Sequence, residues 1–296
     1  MPMKTPLRIA LSYISSPSSI PRTFSWRFRP GISLEPIVFV FGAPRSGTTL
    51  LQRILALNDQ LFSIDAETGL FSLQNIFTRK HFGLSWNECQ HLFQKSCDVV
   101  NFLENGVSEI RKKNGFASNM RMVEKTPQHV MHLGFLMHHF PRARFIHIVR
   151  DGRDCFCSSR NHPNIPQNSS VRRFAKYWAA CVTEGLKFDT RNNLTRVKYE
   201  DLVASPKSVV CDLMHRLDLN LQRRQLDPGE IGQDDRAKRD EFARLRHPIR
   251  PASVGRWRLE MDERELKNFE DVAGHLMPRL GYATDNTQRQ LIHDAA

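Results

Sequence analysis

Pro36-Ile-Val-Phe-Val-Phe41 is a continuous apolar run ending at a glycine, the pattern of a strand buried on both faces of a parallel sheet. A helix is expected next over Thr48 to Leu57, where Leu50, Leu51, Ile54, Leu55 and Leu57 recur at helical spacing. From Leu70 to about Asn114 the periodicity is helical, with a break near Gly83 and Ser85, and Asn114-Gly115 is a stop signal. Met122-Val123-Glu124 reads as a second strand, followed by a striped helix from about His129 to Phe140 that Pro141 ends. Ala143 to Val149 is a third strand, running into Arg150-Asp151-Gly152 and another helix. Arg172 to Thr190 predicts a long helix, Arg196 to Tyr199 a strand and Ser208 to Leu217 a further helix. Such alternation predicts an α/β fold, a P-loop-type doubly wound parallel sheet flanked by helices. From Gln222 to about Pro251 the apolar pattern fades into charged residues with Pro228, Gly229 and Gly232, the mark of a long excursion or lid. An amphipathic helix from about Glu263 to Leu280 closes the domain at Gly281.

The length of 296 residues suits one such unit with appendages. The expected division is an extension over 1–35, a domain over 36–283 carrying the excursion at 222–251, and a tail over 284–296. A composition 40% hydrophobic and 25% charged excludes a wholly disordered, collagen-like or disulfide-scaffold protein. The formal net charge of +12 points to an anionic ligand. Acids and bases interleave after Glu35, so no nucleic-acid arm is expected. The six cysteines contain no CxxC pair; reduced, small buried hydrophobes are expected and no metal is assigned. No apolar stretch approaches the ~18 residues that cross a bilayer, so a cytoplasmic location is expected. Residues 1–34 contain Lys4, Arg8, Arg22, Arg27 and Arg29, serines around Pro17 and no acid. That composition is like an organellar transit segment; a packing arm or a misassigned start are the alternatives, and the segment is set aside from the fold.

Gly42-Ala-Pro-Arg-Ser-Gly47-Thr48-Thr49 stands between the first strand and its helix. Gly42 and Gly47 have the separation of a phosphate-cradling GxxxxG loop, and the helix N-terminus adds free N–H groups and a positive dipole end. Thr48 occupies the place of the lysine of nucleoside triphosphatases, while Arg45 offers a planar fork to a phosphate or sulfate.

The form PRSGTT resembles the 5′-phosphosulfate loop of the sulfotransferase superfamily, nearest the branch related to tyrosylprotein sulfotransferases. The resemblance spans about Pro36 to Tyr282 and implies 3′-phosphoadenosine 5′-phosphosulfate (PAPS) as donor, adenosine 3′,5′-bisphosphate (PAP) as product and no metal. Arg45, Ser46, Gly47, Thr48 and Thr49 would then hold the phosphosulfate. Arg150 and Ser158, eight positions apart, match the superfamily's 3′-phosphate pair, with Ser158 expected on the first turns of its helix. Ser253-Val-Gly-Arg-Trp257-Arg258 is similar to the branch's C-terminal cofactor segment. It implies Ser253 as a hydrogen-bond donor, Arg256 or Arg258 on anionic oxygens and Trp257 as the packing residue. With a one-residue shift in the intervening loop, Glu67 matches the branch's catalytic glutamate; Asp65 is the reserve, and capping of a helix is the plainer role for either acid. Lys125 matches its catalytic lysine, and Arg45 and Ser253 complete the implied catalytic set. His81, His129, His138 and His139 read as packing or surface residues.

The expected activity is sulfuryl transfer from PAPS to an acceptor hydroxyl by in-line displacement. A peptide tyrosine, a carbohydrate, a lipid and a small alcohol all carry such a group. A P-loop nucleotide or small-molecule kinase and a silent anion- or RNA-binding α/β protein stay open as alternatives. The kinase is disfavoured by Thr48 and by the lack of a magnesium-binding aspartate after a strand.

Overall fold

The computed structural model of the protein describes residues 5–72, 75–160, 162, 165–231, 251 and 253–284. Most of the charged excursion and the tail beyond 284 lie outside the described residues. The chain runs α1 (Thr5–Ile14), α2 (Ile20–Phe28), β1 (Val38–Phe41), α3 (Thr48–Ala56), β2 (Leu61–Ser63), α4 (Trp86–Lys95), α5 (Val99–Asn114) and β3 (Arg121–Lys125). It continues through α6 (Leu133–His139), β4 (Arg144–Val149), α7 (Gly152–Ser159), α8 (Val171–Leu186), β5 (Leu194–Lys198), α9 (Tyr199–Ala204) and α10 (Pro206–Arg216). The short α11 (Pro228–Ile231) and α12 (Trp257–Glu260) and the amphipathic α13 (Glu263–Ala273) follow.

The five strands among the described residues form one parallel sheet in the order β2-β3-β1-β4-β5. Alternate side chains of β1 serve opposite faces. Phe39 and Phe41 join Phe145, Trp178 and Phe269 in one core, and Val38 and Val40 join Ile148, Leu51, Ile54 and Val210 in the other. Burial on both sides explains why β1 reads as an unbroken apolar run. The chain leaves β1 towards β2 and β3 on one side and reaches β4 and β5 on the other. The carboxyl ends of β3, β1 and β4 therefore frame the switch point where open α/β sheets bind ligands.

Four readings of the sequence need correction. The strand β2 has no counterpart in the sequence reading: it is three residues long, and its ladder with β3, not its own pattern, defines it. The segment before Glu35 belongs to the fold in part, because α2 buries Thr23 and Trp26, the latter packed on Phe77, Phe93 and Phe102. Leu70 does not open a helix; a short 3₁₀ turn at Ile76–Thr78 precedes α4, whose capping box pairs Ser85 with Glu88. Four cysteines are buried as expected, but Cys97 and Cys211 are exposed. Among the described residues no helix is long and apolar enough to cross a membrane.

Candidate active site

The loop after β1 is squeezed against the neighbouring strand. Gly42 N–H donates to the Pro127 carbonyl at 3.3 Å, and a Cβ at Gly42 would lie 2.2 Å from the Ile148 carbonyl oxygen. Any larger residue would push the loop off the sheet. Gly47 adopts φ +102° where the loop turns into α3, and a Cβ there would meet the Tyr199 ring at 2.5 Å. No side chain caps α3, which leaves its first turn, at Thr48 and Thr49, turned to the loop with a partial positive charge. Arg45 is also left-handed, with φ +68°, a conformation that costs on the order of 1–3 kcal/mol in a residue other than glycine. Its Nε donates to Ser158 Oγ at 3.1 Å.

Arg150 follows β4 and is buried. One of its terminal nitrogens donates to the Arg45 carbonyl at 3.2 Å and the other to the Ser253 carbonyl at 2.7 Å. Its guanidinium lies 4.3 Å over the Tyr199 ring, and Asp154 stands 4.0 Å away. Arg150 Nε and Ser46 Oγ are buried and lack a partner among the described residues. Buried donors normally find acceptors, so two unmatched ones in and beside an uncapped helix terminus fit an anionic group with several oxygens. Arg45→Lys keeps the charge but removes the fork that reaches Ser158. Titration calorimetry with PAP is expected to show roughly tenfold weaker binding, about 1.4 kcal/mol, and unchanged affinity would remove Arg45 from the site.

The third segment arrives from the other side of the excursion. Ser253 is buried, and its hydroxyl hydrogen-bonds the Tyr199 hydroxyl at 2.9 Å. The Asp154 carboxylate accepts the backbone N–H groups of Gly255 at 2.7 Å and Trp257 at 3.0 Å. Burial pushes the Asp154 pKa up, against the pull of those two donors. Trp257 is buried beneath the guanidiniums of Arg153 and Arg258, at 3.8 Å and 4.7 Å from its ring.

On the far side of β1, Lys125 closes β3 in register with Val40. It is buried, and its ammonium donates to Glu67 Oε1 at 2.6 Å. Glu67 is 45% exposed whereas the Lys125 side chain is 5% exposed, so the carboxylate faces solvent and the cation lies behind it. The preceding residue, Glu124, holds this arrangement from below. Its Oε1 accepts from the hydroxyls of Thr68 and Thr126, each at 2.7 Å, and its Oε2 faces His129 Nδ1 at 2.9 Å. Gly69 N–H adds a bond to Thr126 Oγ1 at 3.3 Å, and Arg79 donates to the Glu67 carbonyl at 3.0 Å. Burial by itself would raise the Glu124 pKa; facing His129 and the two hydroxyls outweighs it and holds the carboxyl below the ordinary glutamate value. The 64–70 loop is thus tied at Thr68 and Gly69, on either side of which Glu67 and the core residue Leu70 point in different directions.

The sequence matches a family model described as "Sulfotransferase family" over residues 36–223, which includes the glycine loop, Lys125 and Arg150. The chain belongs to the sulfotransferase family. It is 27% identical over 267 residues to a Caenorhabditis briggsae protein named "Putative protein-tyrosine sulfotransferase", covering 86% of this chain and 92% of the relative. Protein-tyrosine sulfotransferase A of Caenorhabditis elegans is 23% identical over 258 residues, 84% of this chain and 67% of that one. Among solved structures, the sulfotransferase domain from the curacin biosynthetic pathway superposes with a TM-score of 0.56 at 21% identity, covering 85% of this chain and 99% of that one. A mouse sulfotransferase complexed with PAP gives 0.54 at 13% identity, covering 90% and 89%; both share the fold.

In this sulfotransferase the residues singled out in the sequence fall into two clusters flanking β1. Arg45, Ser46, Ser158, Arg150 and Ser253 come together on the β4 side, and Glu67 and Lys125 on the β3 side. Arg45 and Ser158, read as serving opposite ends of the donor, are bonded to each other. Ser158 lies in the last turn of α7, not the first turns. Arg256 is turned to Glu260, at 2.7 Å and 3.0 Å, and Arg258 to Trp257, so neither arginine of that segment joins Arg150. Neither Asp65 nor Glu67 caps a helix, since both lie in the loop after β2. His81 and His129 are buried, His129 as a partner of Glu124 rather than as simple packing. The sequence reading missed Asp154, Tyr199, Thr68 and the anchoring role of Glu124. Asp154 had a local signal, an acid four positions after Arg150 and within reach of it at 4.0 Å; the others are joined to the site only through the fold.

Proposed function

We propose that this sulfotransferase takes a sulfuryl group from PAPS and passes it to an acceptor hydroxyl. The observation that carries the reading is the Glu67–Lys125 pair at 2.6 Å, one strand away from the loop where the buried Ser46 hydroxyl and, beside it, the buried Nε of Arg150 lack partners among the described residues. The residues that would hold the donor are Arg45 to Thr49 at its phosphosulfate and Arg150, Ser158 and Ser253 at its 3′-phosphate, with Trp257 keeping the last segment in place. When bound, PAPS supplies an activated sulfuryl group whose departure leaves PAP.

Glu67 presents an exposed carboxylate able to take the proton of an incoming hydroxyl. Lys125 serves two ends: its ammonium orients that carboxylate and supplies a fixed positive charge from a buried position, where charge is worth more than in water. Arg45 and the uncapped start of α3 add positive field on the opposite side of β1. The chemistry needs no residue to form a covalent link.

Two relatives named as protein-tyrosine sulfotransferases make a peptide tyrosine the first acceptor class to examine, ahead of sugars, lipids and small alcohols. Incubation with labelled PAPS and representatives of each class, read by mass spectrometry, is expected to yield a sulfated product. No transfer to any class, with the protein folded and PAP bound, would overturn the proposal.

Donor recognition has its own test. PAP is expected to raise the thermal midpoint more than ATP with magnesium, since Arg150 and Ser158 suit a 3′-phosphate that ATP lacks. At 100 times its dissociation constant the gain is roughly 2.7 kcal/mol. Equal or larger stabilisation by ATP would favour a kinase instead.

A further inference from the structure

Six of the ten exposed large apolar side chains among the described residues lie in one stretch of this chain; Trp86, Met131, Val254 and Leu259 are scattered elsewhere. Ile14, Ile20, Phe24, Phe28, Ile32 and Leu34 are all exposed, and all fall before the first strand. The geometry of α2 explains the centre of the group. Its inner face is fastened to the body: Trp26 packs edge-on against Phe77 at 4.8 Å, Thr23 Oγ1 bonds Asn75 Oδ1 at 3.1 Å, and Arg27 donates to the Leu70 carbonyl at 3.1 Å. Its outer face carries Ile20, Phe24 and Phe28, a single row at intervals of four residues. Phe24 and Phe28 stack at 5.7 Å and are 69% and 67% exposed. Two adjacent phenyl rings held in water on a fastened helix form an apolar patch that folding does not cover.

Charge narrows the partner. Residues 1–34 contain five basic side chains and no Asp or Glu. Within the described part, Arg22 and Arg27 turn inward to the carbonyls of Phe93 and Leu70. Arg29 is exposed, its guanidinium 5.9 Å from the Phe28 ring. An apolar row with a cation at its end, in a segment whose own sequence holds no acid, is the composition of a helix that lies in a membrane interface. At nine residues α2 is far too short to span one. A second copy of the chain fits less well, because a twofold contact would set this positive segment against itself.

We propose that this face docks on an anionic lipid bilayer. The helix α2 lies in the plane of the interface, Ile20, Phe24 and Phe28 enter between the headgroups, and Arg29 meets lipid phosphates and carboxylates. The docking stands independently of the donor and acceptor proposed above.

Flotation of the full chain with phosphatidylcholine vesicles, with and without phosphatidylserine, tests it. Association is expected with the phosphatidylserine vesicles and to be several-fold weaker without the acidic lipid. Phe24→Ser/Phe28→Ser should weaken it roughly tenfold or more, since two inserted rings are lost. Arg29→Gln should weaken it by roughly fivefold, the worth of one cation at a charged surface. All three positions are exposed, so the melting temperature of each variant should stay near that of the parent. No association with acidic vesicles, equal association with neutral ones, or binding untouched by Phe24→Ser/Phe28→Ser would each overturn the proposal. Sedimentation velocity supplies the rival outcome: a dimer dissolved by the serine variant, without vesicle binding, assigns the row to a second copy.

Discussion

Glu67→Gln is expected to lower the single-turnover rate by ~10² to 10⁴ while leaving PAP affinity nearly unchanged. The amide keeps the shape of the side chain and a bond acceptor for Lys125, but it cannot take a proton. Lys125→Ala should lose a comparable factor in rate and also weaken PAP binding, because its buried ammonium contributes positive field beside the loop. It also leaves Glu67 without its 2.6 Å partner, so the double variant should be little worse than either single one. Asp65, the second acid of the loop, is exposed, and Asp65→Asn should remain active. Rapid-quench rates and calorimetric affinities measured on all three variants decide the assignment. An inactive Asp65→Asn beside an active Glu67→Gln would transfer the role of base to Asp65.

Replacing Glu124 should produce the largest loss of stability at a single position in the site. Glu124→Ala leaves two hydroxyls and the His129 ring facing a cavity, and buried donors stripped of their acceptor cost about 1–3 kcal/mol each. Some of these relax, and a total loss of about 3–5 kcal/mol is expected from urea unfolding. Glu124→Gln keeps the volume and one acceptor, and should lose about 1–3 kcal/mol. The pH dependence has a definite sign. The folded pKa of Glu124 lies below its ordinary value of 4.5, so its contribution is complete above that value and is lost as the pH falls through the lower, folded one. The parent should therefore lose more stability than Glu124→Gln on acidification below about 4.5. Identical acid profiles would show that Glu124 is not held as a carboxylate. Activity supplies a further check: Thr68→Val removes one tether of the Glu67 loop and should lower turnover more than PAP affinity.

How much of this was legible in the chain differs by element. The strand β1 is a continuous apolar run and β4 is broken only by His147 after its first residue, because both are central and covered on both faces, whereas β3 shows only Met122 and Val123 between charged residues. The edge strand β2 has too few residues to show a period, and the ladder to β3 alone makes it a strand. The N-terminal segment looked like a detachable leader because its serines, arginines and lack of acids describe solvated chain. Trp26 and Thr23 nonetheless anchor α2, through contacts with residues 75–102 that no local window contains.

The same division holds at the site. The glycine loop was readable because close backbone approach permits few residues: Gly42 lies under the Ile148 carbonyl and Gly47 against Tyr199, and a Cβ at either position collides. Such steric demands act over a few positions and so leave a motif. What only the tertiary structure decided is which charges meet. Glu67 and Lys125 lie 58 positions apart, Arg150 and Ser253 103 apart, and Thr68 is tied to Glu124 across 56. The sheet order β2-β3-β1-β4-β5 brings these pairs to one edge. By itself the sequence determined a doubly wound α/β fold with an anion loop after its first strand, since strand burial and loop sterics are local. The pairing of its acids and bases was decided by strand order, because electrostatic contacts depend on distance in space and carry no fixed separation along the chain.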